Sequence, residues 1–442
     1  MRIPMMTVLL SLGVVACSRD VVTSPPDSAT LGSVNHVIVI YLENHSFDNL
    51  YGEFPGANGA AGQSVMPQVD ANGVAYPTLP AAVNGPIPQG LPNAPYSLAP
   101  YLPLSSASPD LTHEFYTEQA QINNGAMNRF VTLSNASALA VGYYPTMQLP
   151  LAGEAARYTL CDAFLHGAFG GSFLNHFWLV AAAVPIFPNA PASQRIALDS
   201  QGRVVKSGAV TPDGHVVNNL EPSGSLHASS ADPSDLVPLQ TLPTIGDRLS
   251  TAGVTWAWYA EGWNNAVAGH AASDFEYHHQ PFLYVASFAE GTPARAQHLA
   301  DLTDFDAAAA AGNLPAVSFV ELLGRHTEHP GSSMLAGEAE AKRLIDEIRN
   351  GPNWHDSVII VTYDENGGFW DHAAPPLRDA WGPGTRVPTL IISPFAKSGF
   401  VDHTTYETSS ILALIETRWN LAPLSSADAQ AKPLTGAFNF GQ

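Results

Sequence analysis

Residues His36 to Asn49 read HVIVIYLENHSFDN, a run of β-branched and aromatic residues that breaks into Glu43, Asn44, His45, Ser46 and Asp48. The first half shows no apolar/polar alternation, which predicts a strand buried on both faces, central in a sheet covered by helices on each side. A second run of the same kind, SVIIVTY at Ser357 to Tyr363, ends in DENGGFWDH. Two buried strands therefore empty into paired oxygen donors, Glu43 with Asn44 and Asp364 with Glu365. In open α/β sheets, sites form beyond the carboxyl ends of the strands. Adjacent residues of a regular strand point to opposite faces, so neither pair can converge on one point from within a ladder. Both pairs are expected just past the last paired residue, where three carboxylates and an amide oxygen would repel one another unless a cation sits among them.

Outward from these two strands, GVTWAWYAE (Gly253 to Glu261), PAVSFVEL (Pro315 to Leu322) and RVPTLIIS (Arg386 to Ser393) read as further strands. Helical patterns stand before the first (TIGDRLSTAG), after the second (SSMLAGEAEAKRLIDEIRN) and after the third (TSSILALIETRWN). The alternation predicts a doubly wound three-layer α/β/α sandwich. Residues 54–110 and 185–238 are rich in Pro, Gly, Ser and Asn, and are expected as long insertions of one domain spanning residues 34–442.

Charged residues make up only 13% of the 442, and Lys+Arg 18 against Asp+Glu 39 give a net charge of -21. Such a chain repels nucleic acid and anionic membranes at long range. At the N-terminus, Arg2 precedes the apolar run MMTVLLSLGVVA, too short to span a bilayer, followed by Cys17. Residues 1–16 are expected to be an export signal, with Cys17 a lipid anchor or, if a plain signal is cut after Ala16, simply the first mature residue; residues 17–33 are a flexible tether, and the protein is expected to be periplasmic, an outer-membrane lipoprotein or secreted. The second cysteine is Cys161, so a lipidated Cys17 leaves no disulfide.

HGAFGGSFLNHFWLV, His166 to Val180, places Ser172 after Gly170 and Gly171, at the start of a helical stretch. There the residue is either a plain N-cap or a hydroxyl aimed where free backbone N–H groups receive an anion. Histidine-bearing clusters, LTHEF with His113, YHHQPF with His278 and His279, and RHTEHPG with His329, supply cationic partners for such an anion.

ENHSFDN, GGSFLNH, EHPG and TYDENGGFWDH together resemble the successive signatures of the bacterial phosphoesterase family that unites acid phosphatases with phospholipases C, related in fold to the alkaline phosphatases. The resemblance implies a divalent metal (Ca, Mg, Mn, Zn or Fe) held by Glu43, Asn44, Asp364, Glu365 and the hydroxyl of Ser172. It further implies that Ser172 is the nucleophile and that His113, His279, His329 and His278 surround the phosphate. Asp48 is expected to hold the first turn, with Asp371 and His372 in supporting roles. A serine at the nucleophile position and a short C-terminal end favour an exported acid phosphatase acting on small phosphate esters. A phospholipase C for choline-type phospholipids is the alternative, and a non-catalytic surface lipoprotein a third.

Overall fold

The computed structural model describes residues 31–441 apart from 61, 62, 64, 84 and 225. The export signal, Cys17 and the tether up to residue 30 lie outside the described residues. The last part of the expected tether is packed: Leu31 is buried, and Arg418 donates to the carbonyl of Gly32 at 3.1 Å.

Strand β1 (His36–Leu42) forms where its sequence predicts, with six of its seven residues buried. Because successive side chains alternate between faces, burial of nearly every residue means that both faces are covered. The other strands of the same sheet are β2 (Thr159–Cys161), β3 (Trp256–Ala260), β4 (Leu299–Asp301), β5 (Val317–Glu321), β6 (Ser357–Tyr363), β7 (Thr389–Ile392) and β8 (Phe400–Asp402). Their spatial order is β8-β2-β7-β6-β1-β5-β3-β4. β1 pairs in parallel with β5 on one side and β6 on the other. β7 is antiparallel to both of its neighbours, and it alone runs against the rest.

Flanking helices complete the sandwich. The longest is amphipathic in the expected manner: Met334–Asn350 buries Met334, Gly337, Ala341, Leu344, Ile345 and Ile348 at helical spacing, and the Ser333 side chain caps its first turn. The inserted segments carry little regular structure. In 54–110 the paired strand is Tyr96–Ser97, and in 185–238 a short hairpin joins Ala197–Leu198 to Val204–Lys206. Among the described residues, no helix is long and apolar enough to cross a membrane.

Register decides what meets at the carboxyl edge. Leu42 of β1 lies opposite Tyr363 of β6, so Glu43 and Asp364 leave the sheet side by side. Tyr41 lies opposite Glu321 of β5. Glu43 follows Tyr41 by two residues, which brings Glu43 and Glu321 to the same side of the sheet.

Candidate active site

Both oxygen pairs stand one residue beyond their ladders, as the alternation argument requires. Asn44 turns the chain by adopting a left-handed φ of 65°, a conformation asparagine tolerates better than most residues. Its amide N–H donates to Asp364 Oδ1 at 2.9 Å, and the Glu365 N–H donates to the same oxygen at 2.7 Å. Glu365 Oε2 in turn accepts from the Gly367 N–H at 2.5 Å. Each carboxylate thus has one oxygen tied to the protein. The other oxygens, Glu43 Oε1, Asp364 Oδ2 and Glu365 Oε1, are buried without a partner, as is Asn44 Oδ1.

Ser172 is the first residue of α1 (Ser172–Ala181), and the cap position belongs to Gly171. The serine is therefore not an N-cap. Its hydroxyl instead donates to Glu43 Oε2 at 2.9 Å. The turn that presents it is held by Glu118, a fully buried carboxylate on the helix Phe115–Ile122 that sequence reasoning missed. Glu118 Oε2 accepts from the Gly170 N–H at 2.7 Å, while Oε1 accepts from the Thr385 N–H at 3.0 Å and from Asn366 at 3.3 Å and faces His166 Nε2 at 2.9 Å. Gly170 has a φ of 85°, and a Cβ there would meet the Phe115 nitrogen at 2.4 Å, so only glycine fits.

The histidines divide into two groups. His113 and His329 stand edge to face at 6.4 Å, on the side of Glu365. His113 Nδ1 is tied to the Leu111 carbonyl at 2.5 Å, and its Nε2 lies 3.3 Å from Asn44 Nδ2. With Nδ1 protonated, Nε2 accepts from the Asn44 amide, which leaves Asn44 Oδ1 without a partner. His279 and His278 lie on the side of Glu43, with His279 stacked on His176 at 4.7 Å and 1°. His176 Nε2 is 2.9 Å from Glu321 Oε2 and 3.4 Å from Glu43 Oε1, and His279 Nε2 is 3.3 Å from the same Glu43 oxygen. Sequence reasoning missed His176 and Glu321. The signals were present: His176 follows Ser172 by one helical turn, and Glu321 ends a buried strand.

Burial, followed by the charges of Asp364 and Glu321, pushes the Glu43 carboxyl well above the usual range. Burial and then Asp364 do the same to Glu365. Burial, reinforced by His176, presses His279 well below the ordinary imidazole value, and His278 is lowered by burial and by His279. Burial presses His176 down, but the charge and hydrogen bond of Glu321, with the charge of Asp364 and the bond to the Ser172 carbonyl, together hold it above the ordinary value. A cation among these groups reverses the balance for the carboxylates. The four unpartnered, buried oxygens are donors of the kind a hard divalent ion takes, and Glu43, His176, His279 and Glu321 each bring one ligand atom within 4.8 Å of the others.

Asp48, Asp371 and His372 form a third acidic cluster, already occupied by a guanidinium. Arg386 donates to Asp371 at 2.9 and 3.0 Å and to Asp48 at 3.2 Å, and His372 Nδ1 meets Asp48 Oδ2 at 2.6 Å. The cluster staples the turn after β1 to the turn after β6, in keeping with the supporting roles expected from the sequence.

An α/β/α sheet that gathers a serine, carboxylates and histidines beyond its parallel strand ends defines a class of α/β proteins whose polar site lies at the strand termini. Within that class the chain belongs to the Phosphoesterase family, whose model matches residues 34–422. It is 24% identical to a non-hemolytic phospholipase C of Pseudomonas aeruginosa over 93% of its own length, and spans 58% of that relative. With phospholipase C B of Mycobacterium tuberculosis it shares 25% identity, covering 94% of this chain and 79% of the other. A solved alkaline phosphatase superfamily protein from Vibrio parahaemolyticus aligns with a TM-score of 0.35 and 11% identity, covering 75% of this chain and 74% of that one.

Proposed function

We propose that the chain is a metal-dependent phosphomonoesterase of the acid phosphatase type, working by double displacement through a phosphoserine at Ser172. The observation that carries this reading is the 2.9 Å hydrogen bond from Ser172 Oγ to Glu43 Oε2, which joins the hydroxyl at the helix start to the carboxylate just beyond β1. Glu43, Asn44, Asp364, Glu365 and Ser172 would hold a divalent cation, whose positive charge would favour deprotonation of the serine and offset the charge on the phosphoryl oxygens. The serine proton leaves along the bond to Glu43, and Oγ joins phosphorus as the ester P–O bond breaks. His329 then gives a proton to the departing alcohol. Its Nδ1 faces the Pro330 carbonyl at 2.5 Å, which leaves Nε2 for that role. Water cleaves the phosphoserine and releases inorganic phosphate.

Monoester preference is supported by the cavity beside Gly171, about 450 Å³, whose lining includes Thr112, His113, Asn135, Gln194, Asn218 and Asn219. Polar walls of this kind suit a hydrophilic phosphate ester better than acyl chains. Because a phosphate ester must approach a protein of net charge -21, turnover is expected to peak below pH 7, where more imidazoles are charged.

A second reading, a phospholipase C, has its own support. The relatives named above are phospholipases C, and a neighbouring cavity of about 260 Å³, bordered by His278, carries Glu221, Asp232, Asp235 and Glu276, suited to a cationic headgroup. Turnover of p-nitrophenyl phosphate against p-nitrophenyl phosphorylcholine separates the two. Preference for the diester overturns the monoesterase reading, and failure to hydrolyse either removes both.

A further inference from the structure

We propose that Glu328 is a positioning residue for His329, the group that gives its proton to the departing alcohol; the inference rests on the function proposed above. Glu328 is 1% exposed and takes a left-handed φ of 72°, a conformation that glycine adopts freely and a side chain resists. Such a residue persists only where its surroundings hold it there. Here they do so from two sides. The Tyr363 hydroxyl donates to Glu328 Oε2 at 2.8 Å, and Tyr363 is the last residue of β6, directly before Asp364. Opposite, the glutamate lies against Gly337 of the helix Met334–Asn350, where a Cβ would meet Glu328 Cγ at 2.3 Å. One residue earlier, the Thr327 carbonyl accepts the Glu43 N–H at 2.9 Å.

The turn before His329 is therefore fastened to the ends of both strands that lead into the oxygen donors, to β1 through Thr327 and to β6 through Glu328. His329 inherits its place from that turn. Its N–H donates to Thr327 Oγ1 at 3.3 Å, and the tie of its ring is local, Nδ1 to the Pro330 carbonyl at 2.5 Å. A bond to the neighbouring residue orients the imidazole but does not set its distance from Ser172; the backbone anchored by Glu328 does. Glu328 Oε1 has no partner, so the bond from Tyr363 is what orients the carboxyl group. Glutamine, with its oxygen toward Tyr363, keeps that bond and places its NH₂ where none is lost.

The test compares kcat for p-nitrophenyl phosphate, whose leaving group departs without a proton, with kcat for glycerol 2-phosphate, whose alkoxide needs one. Loss or misplacement of the donor raises the ratio of the two, whereas general structural damage lowers both alike. His329→Ala is expected to raise the ratio at least about 100-fold. Glu328→Gly, which suits the left-handed backbone and removes the side chain, is expected to raise it at least about 10-fold. In the His329→Ala background the same change is expected to move the ratio no further, because it acts through the imidazole. Glu328→Gln is expected to restore the wild-type ratio. If His329→Ala raises the ratio and Glu328→Gly does not, or if the two changes add in the double variant, this inference alone is overturned. A Glu328→Gln ratio as high as that of Glu328→Gly overturns it too. An unchanged ratio in His329→Ala removes His329 as the donor and the positioning role with it, and a wild-type chain that turns over neither ester removes the proposed function and both roles. Should Glu328→Gly fail to fold, Tyr363→Phe, which deletes only the hydroxyl, is read against the same ratio with the same outcomes.

Discussion

Replacing Glu118 with glutamine keeps shape and volume but exchanges one acceptor for a donor. The carboxylate now satisfies Gly170 on Oε2, and Thr385 and Asn366 on Oε1, where it also faces His166. A glutamine oxygen placed at the Oε1 position turns its NH₂ toward the Gly170 N–H, leaving that buried amide without an acceptor. The opposite orientation leaves the partners of Oε1 unsatisfied instead. The first choice loses one charge-assisted bond and strands one donor, a cost of about 2–4 kcal/mol. If the turn relaxes outward to escape the clash, Ser172 moves with it, and a displacement of about 1 Å costs on the order of 100-fold in rate. Thermal unfolding and the separate kcat and KM values for p-nitrophenyl phosphate read the two outcomes. The expected result is a lowered Tm with kcat falling further than KM rises. Wild-type kcat together with an unchanged Tm would refute the clamp.

Ser172→Ala is expected to lose turnover by several orders of magnitude while remaining folded, because the serine is not a cap; trapping and mapping of a phosphopeptide in the wild type checks its role. Asp364→Ala is expected to lose bound metal together with activity, and metal analysis after dialysis reads it; stoichiometric metal in an active variant removes Asp364 from the ligands. Burial raises the Glu338 carboxyl to about 8, against an ordinary value of 4.5. Between those pH values the folded chain holds a proton that the unfolded chain has released, so the contribution of Glu338 to stability is most favourable below 4.5 and falls as pH rises toward 8, by at most about 5 kcal/mol. Glu338→Gln is expected to flatten that slope, and identical pH profiles of Tm in variant and wild type would count against it. Arg386→Met strands Asp48 and Asp371 and is expected to cost about 3–5 kcal/mol in denaturant unfolding.

The central strands were legible because continuous β-branched runs have few other solutions. β1 and β6 begin and end where their sequences predict. Strands β2, β4 and β8, three residues each, are too short to carry a period, and their place in the sheet comes from neighbours distant in sequence. Nothing in RVPTLIIS marks β7 as reversed, since strand direction is a property of the connection and not of the residues. At the site, Glu43, Asn44, Asp364 and Glu365 announced themselves as polar groups at the ends of apolar runs. Glu118 did not: in sequence it is an ordinary acidic residue in the first turn of a short helix. Only the fold brings Gly170, Asn366 and Thr385 around it.

The reversal of β7 also orders events in time. A strand that runs backward presents its beginning, not its end, at the edge where its neighbours finish, and so Thr385 and Arg386, just ahead of Thr389, reach the site from the chain entering β7. Ser172, Glu43, Asp364 and Glu365 all precede them in sequence. During synthesis, every reactive group therefore leaves the ribosome before the two residues that brace the turns around it. A nascent chain halted short of Thr385 carries the full chemistry with neither brace, so competence waits for the last stretch of polypeptide.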